Sequence, residues 1–131
     1  MNLHGSRLQR LTDLAGFSEQ FPSWSPDGER LAFDRYDDAT DGLTFQELFT
    51  MNANGGDVRQ VTDTLSRAEA RASWSPDGSE LVFYAVAITP EGGLGPRVIY
   101  TIKPNGRGAQ LTSEESNNTF PAWQPLVVPS S

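Results

Sequence analysis

Phe21-Pro22-Ser23-Trp24-Ser25-Pro26-Asp27-Gly28-Glu29-Arg30-Leu31-Ala32-Phe33 returns fifty residues later as Arg71-Ala72-Ser73-Trp74-Ser75-Pro76-Asp77-Gly78-Ser79-Glu80-Leu81-Val82-Phe83. A broken third copy, Phe120-Pro121-Ala122-Trp123-Gln124-Pro125, closes the sequence. The register holds away from this block as well. Leu11-Thr12, Val61-Thr62 and Leu111-Thr112 are spaced by 50 and 50, and Trp24, Trp74 and Trp123 by 50 and 49. Met51 aligns with Ile102, inside Glu47–Asn52 and Val98–Lys103. Several anchors in one register establish a true repeat. A period of roughly 40–50 residues marks a propeller or a solenoid, in which each unit buries its apolar face only against the next.

One period reads as four short strands. Strand a is Pro22–Ser25, and Ser25-Pro26-Asp27-Gly28 turns the chain: Pro presets φ, Asp bonds its own backbone and Gly accepts φ > 0. Strand b is Arg30–Arg35, with Leu31 and Phe33 on one face. Strand c is Glu47–Asn52, or Val98–Lys103 in the next copy, rich in aromatic and β-branched residues. Asn54-Gly55-Gly56 and Pro104-Asn105-Gly106 supply a second turn joining antiparallel strands. Strand d is Val58–Thr62, then Ala109–Thr112. No stretch carries an apolar stripe at helical spacing, so an all-β fold is expected.

The order apolar-Thr, spacer, Pro/Ala-x-Trp-Ser-Pro-Asp-Gly, apolar-x-Phe, strand, Asn-Gly turn, apolar-Thr resembles the TolB-like branch of the β-propellers, whose repeats are related to WD-type blades. The resemblance runs from about Arg7 to Pro125, and its structural repeat residues are Trp24, Pro26, Asp27, Gly28, Trp74, Pro76, Asp77, Gly78 and Trp123. The third copy departs from it: Gln124 stands where the Ser should be and no Asp-Gly follows. The expected architecture is blade one at about 21–63, blade two at about 71–113, a leading strand d at about 7–12 and a trailing strand a at about 120–125.

A length of 131 residues suits one domain. Propellers, however, use four to eight blades, and two would leave an open edge and a half-covered apolar face. The six-bladed form common in the family implies a homotrimer of two blades each as the favoured assembly; a piece of a longer propeller is the alternative. Seventeen acidic against ten basic residues give a net charge of −7, which argues against nucleic acid and against anionic membrane surfaces. No 18-residue apolar run spans a bilayer. Met1–Ser6 lacks the apolar core of a signal peptide, whereas the family resemblance leans periplasmic, so the compartment stays open. With no cysteine there is no disulfide and no thiolate metal site.

The a–b and c–d turns are short, whereas the b–c connections (Tyr36–Gln46, and Val86 through Arg97) and the d–a connections (Thr64–Arg71, and Ser113–Asn118) are long. In propellers of this kind the long connections share one face, where binding usually resides. Asp37, Asp38, Asp41, Arg71, Glu91 and Arg97 are the expected partner-binding residues. Asp37-Asp38-Ala39-Thr40-Asp41-Gly42 looks faintly like a calcium loop, but Ala39 and Leu48 stand where oxygen ligands are needed, so a solvated acidic loop is expected. Asp27 and Asp77 read as turn residues, the tryptophans as packing, and Asn117-Asn118-Thr119 as a short glycosylation pattern that arises often by chance.

His4 is the only histidine, so neither a Ser-His-Asp arrangement nor a His metal set can be built. No Gly-x-Ser-x-Gly or phosphate-binding loop occurs, and Gly92-Gly93-Leu94-Gly95 lacks the strand-to-helix setting of a dinucleotide site. A non-catalytic scaffold that binds a protein or peptide, without cofactor or metal, is the leading expectation. The alternatives are an assembly module or fragment of a longer propeller protein, including one gating a hydrolase domain, and a small-molecule or sugar-binding enzyme in the channel, for which Asp34, Asp37 or Glu91 could supply carboxylates.

Overall fold

The computed structural model describes residues 8–39, 46–64 and 66–111. Within them the chain forms two four-stranded antiparallel meanders. The first is β1 (Phe17–Trp24), β2 (Arg30–Asp37), β3 (Glu47–Asn52) and β4 (Arg59–Gln60); the second is β5 (Arg67–Trp74), β6 (Leu81–Ile88), β7 (Leu94–Ile102) and β8 (Gln110–Leu111). No helix occurs among the described residues. The fold is all-β, and each sheet is one blade.

Turn chemistry fixes the a–b corners. Ser25 Oγ donates to Asp27 Oδ1 at 2.6 Å, Glu29 N–H donates to the same oxygen at 2.9 Å, and Arg30 N–H donates back to Ser25 Oγ at 3.0 Å. One period later, Ser75 Oγ, Ser79 N–H and Ser79 Oγ converge on Asp77 Oδ1 at 2.7, 3.0 and 2.7 Å. Asp27 and Asp77 are thereby the hubs of the two turns. These donors, the Ser25 hydroxyl first for Asp27 and Ser79 first for Asp77, hold both carboxyls below the usual range, Asp77 at about 2.

Alternation along the strands gives each blade two faces. Ala32, Leu48 and Val61 of the first blade pack against Ala72, Trp74, Leu81, Phe83, Ala85 and Ile102 of the second, forming the main core. The opposite face of the first blade carries Leu31, Phe33 and Met51, covered in part by Leu11 and Phe49. Stacked ring pairs recur with the repeat, Phe33 on Phe49 at 5.9 Å and Phe83 on Tyr100 at 5.8 Å.

Several boundaries differ from the sequence expectation: strand b runs on to Asp37, the second strand c is Leu94–Ile102 and not Val98–Lys103, and strand d shortens to Arg59–Gln60 and Gln110–Leu111. Strand a begins at Phe17 and Arg67, not near Pro22 and Ala72, because Phe17–Gln20 and Arg67–Ala70 pair with the far ends of β2 and β6. The second blade's b–c segment, expected as a loop from Val86 to Arg97, is instead strand continuing into a hairpin closed by Thr89–Gly93, with Ile88 opposite Leu94. The d–a connection expected to extend to Arg71 ends at Ser66, where β5 takes over. The leading strand d expected at about 7–12 is no strand over its described residues 8–12. Leu11 nonetheless occupies the period mate of Val61. A Cβ on Gly55 would lie 2.7 Å from the Leu11 carbonyl oxygen, and one on Gly106 would lie 2.5 Å from that of Val61. The trailing strand at 120–125, with Trp123, lies outside the described residues.

Candidate functional site

The first strand of each blade breaks its ladder at the same place. The register of β1 slips between Gln20 and Ser23, and that of β5 between Ala70 and Ser73. Each bulge sets a non-glycine residue in the left-handed region, Phe21 at φ 52° and Arg71 at φ 59°. Side chains there are uncommon and persist where the surroundings enforce them. In β5 the enforcing group is visible: the Arg71 N–H donates to both Asp34 carboxylate oxygens at 3.1 Å, and the Arg71 guanidinium lies 3.9 Å from the centre of the Phe21 ring. Asp34 is a β2 side chain of the other blade, fully buried, and it also accepts from Gln46 Nε2 at 3.1 Å. Burial pushes its carboxyl up to about 7 against the lowering effect of these donors. Tyr84 holds the position of Asp34 one period on.

A second group of acids is joined through Thr62 and Thr64, on the segment leaving β4. Glu47 accepts from the Thr62 hydroxyl at 2.5 Å and from Thr64 N–H at 2.8 Å. The Thr64 hydroxyl donates to Glu69 Oε1 at 2.6 Å, and Glu69 N–H donates to the Gln46 carbonyl at 2.9 Å. Glu69 is 2% exposed, and its Oε2 has no hydrogen-bond partner. Burial first, then the neighbouring Glu47 carboxyl, raise the Glu69 pKa. Among the described residues no group of three or more His, Cys, Asp or Glu is arranged to hold a metal.

The described residues expected to bind a partner are distributed over four places. Asp37 and Asp38 close the far end of the β1–β2 ladder, where Asp37 caps Ala39 N–H at 2.8 Å and Asp38 takes the Ser18 hydroxyl. Arg97 sits in β7 with its guanidinium 5.4 Å from the Tyr84 ring, beside a hollow of about 400 Å³ lined by Gln46, Tyr84, Val86 and Leu94. Glu91 is exposed at the tip of the β6–β7 hairpin. Arg71 lies mid-strand in the seam, held as described above. Asp41 falls outside the described residues. Sequence reasoning missed Glu47 and Glu69 as a pair. It placed Asp34 only as a possible channel carboxylate, although Asp34 shares the inward face of β2 with Ala32, a signal that was available.

The first blade's outer face forms a further surface. Trp74 is 7% exposed, and its indole N–H donates to the Ser23 carbonyl of the first blade at 3.0 Å. Its period mate Trp24 is 57% exposed. Trp24, Pro22, Leu31, Phe33 and Met51 line an apolar groove of about 310 Å³ there.

No protein-family model and no curated protein matches the chain. Solved structures do. TolB from Acinetobacter baumannii superposes with a TM-score of 0.57 at 20% identity, over 82% of this chain and 24% of that one. A putative TolB from Agrobacterium tumefaciens gives 0.60 at 17%, over 78% and 32%, and puromycin hydrolase 0.60 at 22%, over 82% and 16%. The two sheets therefore have the fold of TolB-like propeller blades. The chain spans between 16% and 32% of the length of these structures.

Proposed function

We propose that this chain is a non-catalytic, two-blade scaffold of the TolB-like kind, which completes a propeller by head-to-tail association with further copies and presents its long-connection end to a protein or peptide. The observation that carries the reading is the unequal fate of two equivalent tryptophans, Trp74 sealed in a blade–blade seam and Trp24 57% exposed on an apolar groove. The internal seam is a template for what the groove accepts: a blade face offering a backbone carbonyl where Ser23 offers one to Trp74. A head-to-tail contact of this kind closes into a ring when its rotation allows, and three two-blade chains supply six blades. At the long-connection end, Asp37, Asp38, Glu91 and Arg97 are the contact residues, in a strongly acidic chain suited to a basic or polar partner.

Light scattering after size exclusion tests the assembly. A mass of three chains, reduced to one by Trp24→Ala, is the expected result; a wild-type monomer at micromolar concentration overturns it.

The second reading is supported by the short span of each match. This unit would then be part of a longer propeller, where neighbouring blades of the same polypeptide fill the groove, including a propeller that accompanies a hydrolase domain. A longer open reading frame encoding further Trp-Ser-Pro-Asp-Gly blades would favour it over the trimer.

A further inference from the structure

The two blades solve one repeat position in opposite ways. In the first blade Glu19 stands opposite Arg35 on the neighbouring strand and pairs with it at 2.9 Å. One period on, Glu69 stands opposite Ala85, so the same carboxylate position has lost its cation. Instead Glu69 enters the seam beside Glu47, with one oxygen bonded to Thr64 and the other without a partner. Two buried carboxylates side by side repel and are poorly solvated, whereas one proton between them removes a charge and supplies a donor for an otherwise orphaned oxygen. Thr62 and Thr64, on the segment leaving β4, fix both carboxyls from one side and so tie that segment to β3 and β5.

We propose that Glu47 and Glu69 form a proton-operated clasp between the blades, closed when the pair shares one proton and loosened when that proton leaves to solvent. The charged surroundings are consistent with this. Asp34 of β2 lies in the seam, Arg35 of β2 stands opposite Glu47 in the ladder but is paired with Glu19 at 2.9 Å, and β6 contributes no charged side chain. On β5 itself, Arg67 acts against the rise but has its guanidinium 5.1 Å from the Tyr100 ring, and Arg71 has its own over Phe21. The shifted titration agrees in direction with the geometry. The clasp lies inside one chain and is independent of whether copies assemble.

Carboxyl-carbon NMR on the intact chain, followed from pH 4 to pH 10, tests it. A titration step at Glu69, with a midpoint near 8 and absent from Glu69→Gln, is the expected result. Amide exchange at Glu69, corrected for its intrinsic pH dependence, should rise at least about tenfold across that step in the wild type and stay flat in Glu69→Gln. Titration of Glu69 in the ordinary range of about 4–5 overturns the proposal. So does an exchange step that survives in Glu69→Gln. If that variant fails to fold, the wild-type titration alone decides.

Discussion

The indole N–H of Trp74 donates to the carbonyl of Ser23 at 3.0 Å, across the seam and 51 residues away in sequence. A side chain of one blade thus reads the backbone of the other, in a contact that repetition of the block makes available once per seam.

Removing that ring should therefore be far more damaging than removing its repeat mate. Trp74→Ala is expected to lose about 3–5 kcal/mol of stability, the usual range for a buried tryptophan, and Trp74→Phe about 1 kcal/mol for the hydrogen bond together with some packing. Trp24→Ala should lose less than about 1 kcal/mol in the separated chain, because a half-exposed ring has little transfer free energy to forfeit. Urea unfolding of the three variants at low protein concentration gives the comparison. Equal losses at Trp24 and Trp74 would mean that the first blade's outer face is covered within the chain.

Stability should fall with rising pH on account of Asp34. Its folded pKa, about 7, lies above the ordinary aspartate value, so the native state holds a proton that the unfolded state has released. The stabilisation is complete below about pH 4, declines as pH climbs toward 7, and is gone above it. Each pH unit of that interval is worth about 1.4 kcal/mol, so the whole change is on the order of 4 kcal/mol. Asp34→Asn keeps an acceptor for Arg71 N–H without the charge. The difference between wild type and Asp34→Asn should therefore move in favour of the variant between pH 4.5 and pH 8. A difference that stays constant with pH would show that Asp34 titrates normally.

The glycines of the turns should separate by what stands in front of them. Gly28 has φ 72° and open space, so Gly28→Ala should lose only the left-handed backbone penalty of about 1–2 kcal/mol. Gly55→Ala and Gly106→Ala carry the same penalty and also drive a methyl group into the Leu11 and Val61 carbonyls. Thermal unfolding should rank them as clearly worse than Gly28→Ala. If Gly55→Ala matched Gly28→Ala while Gly106→Ala did not, the Leu11 segment would be yielding where the Val61 segment is held.

At the long-connection end, charge removal should affect recognition and not folding. Asp37 and Asp38 replaced together by Asn are expected to leave the unfolding midpoint within a few degrees of wild type while weakening capture of a cationic peptide at least tenfold. Unchanged binding would move the contact surface away from these residues.

Much of the architecture was legible because its signals are local. Ser-Pro-Asp-Gly bonds its own backbone, and Asn-Gly-Gly reverses a chain whatever lies around it. Strand c, Glu47–Asn52, was readable to the residue because it needs only its own β-formers. The β6–β7 hairpin was hidden by composition: Pro90, Gly92, Gly93 and Gly95 read as loop, yet the flanking backbone continues the ladder. The early start of strand a was hidden because Ser18-Glu19-Gln20 is polar, and its pairing depends on β2 being in place. The bulges were invisible for a sharper reason. Phe21 and Arg71 are poor choices for positive φ, and at Arg71 a carboxylate 37 residues upstream holds the conformation. Glu69 gave its hint in being flanked by Ala68 and Ala70, small residues of a packed strand, but nothing in sequence placed it beside Glu47.

Asp34 also gives the blades an order of succession. It meets the bulge amide of the blade that follows, whereas the second blade carries Tyr84 at that station. Exchange of the two blades in a rearranged gene would keep every tryptophan, turn and strand. It would also set a phenol where a carboxylate must receive Phe21's amide. Units built on one repeat are therefore not interchangeable bricks: the joint between them has a leading side and a trailing side, and a shuffled chain should fold its blades but fail to seat them.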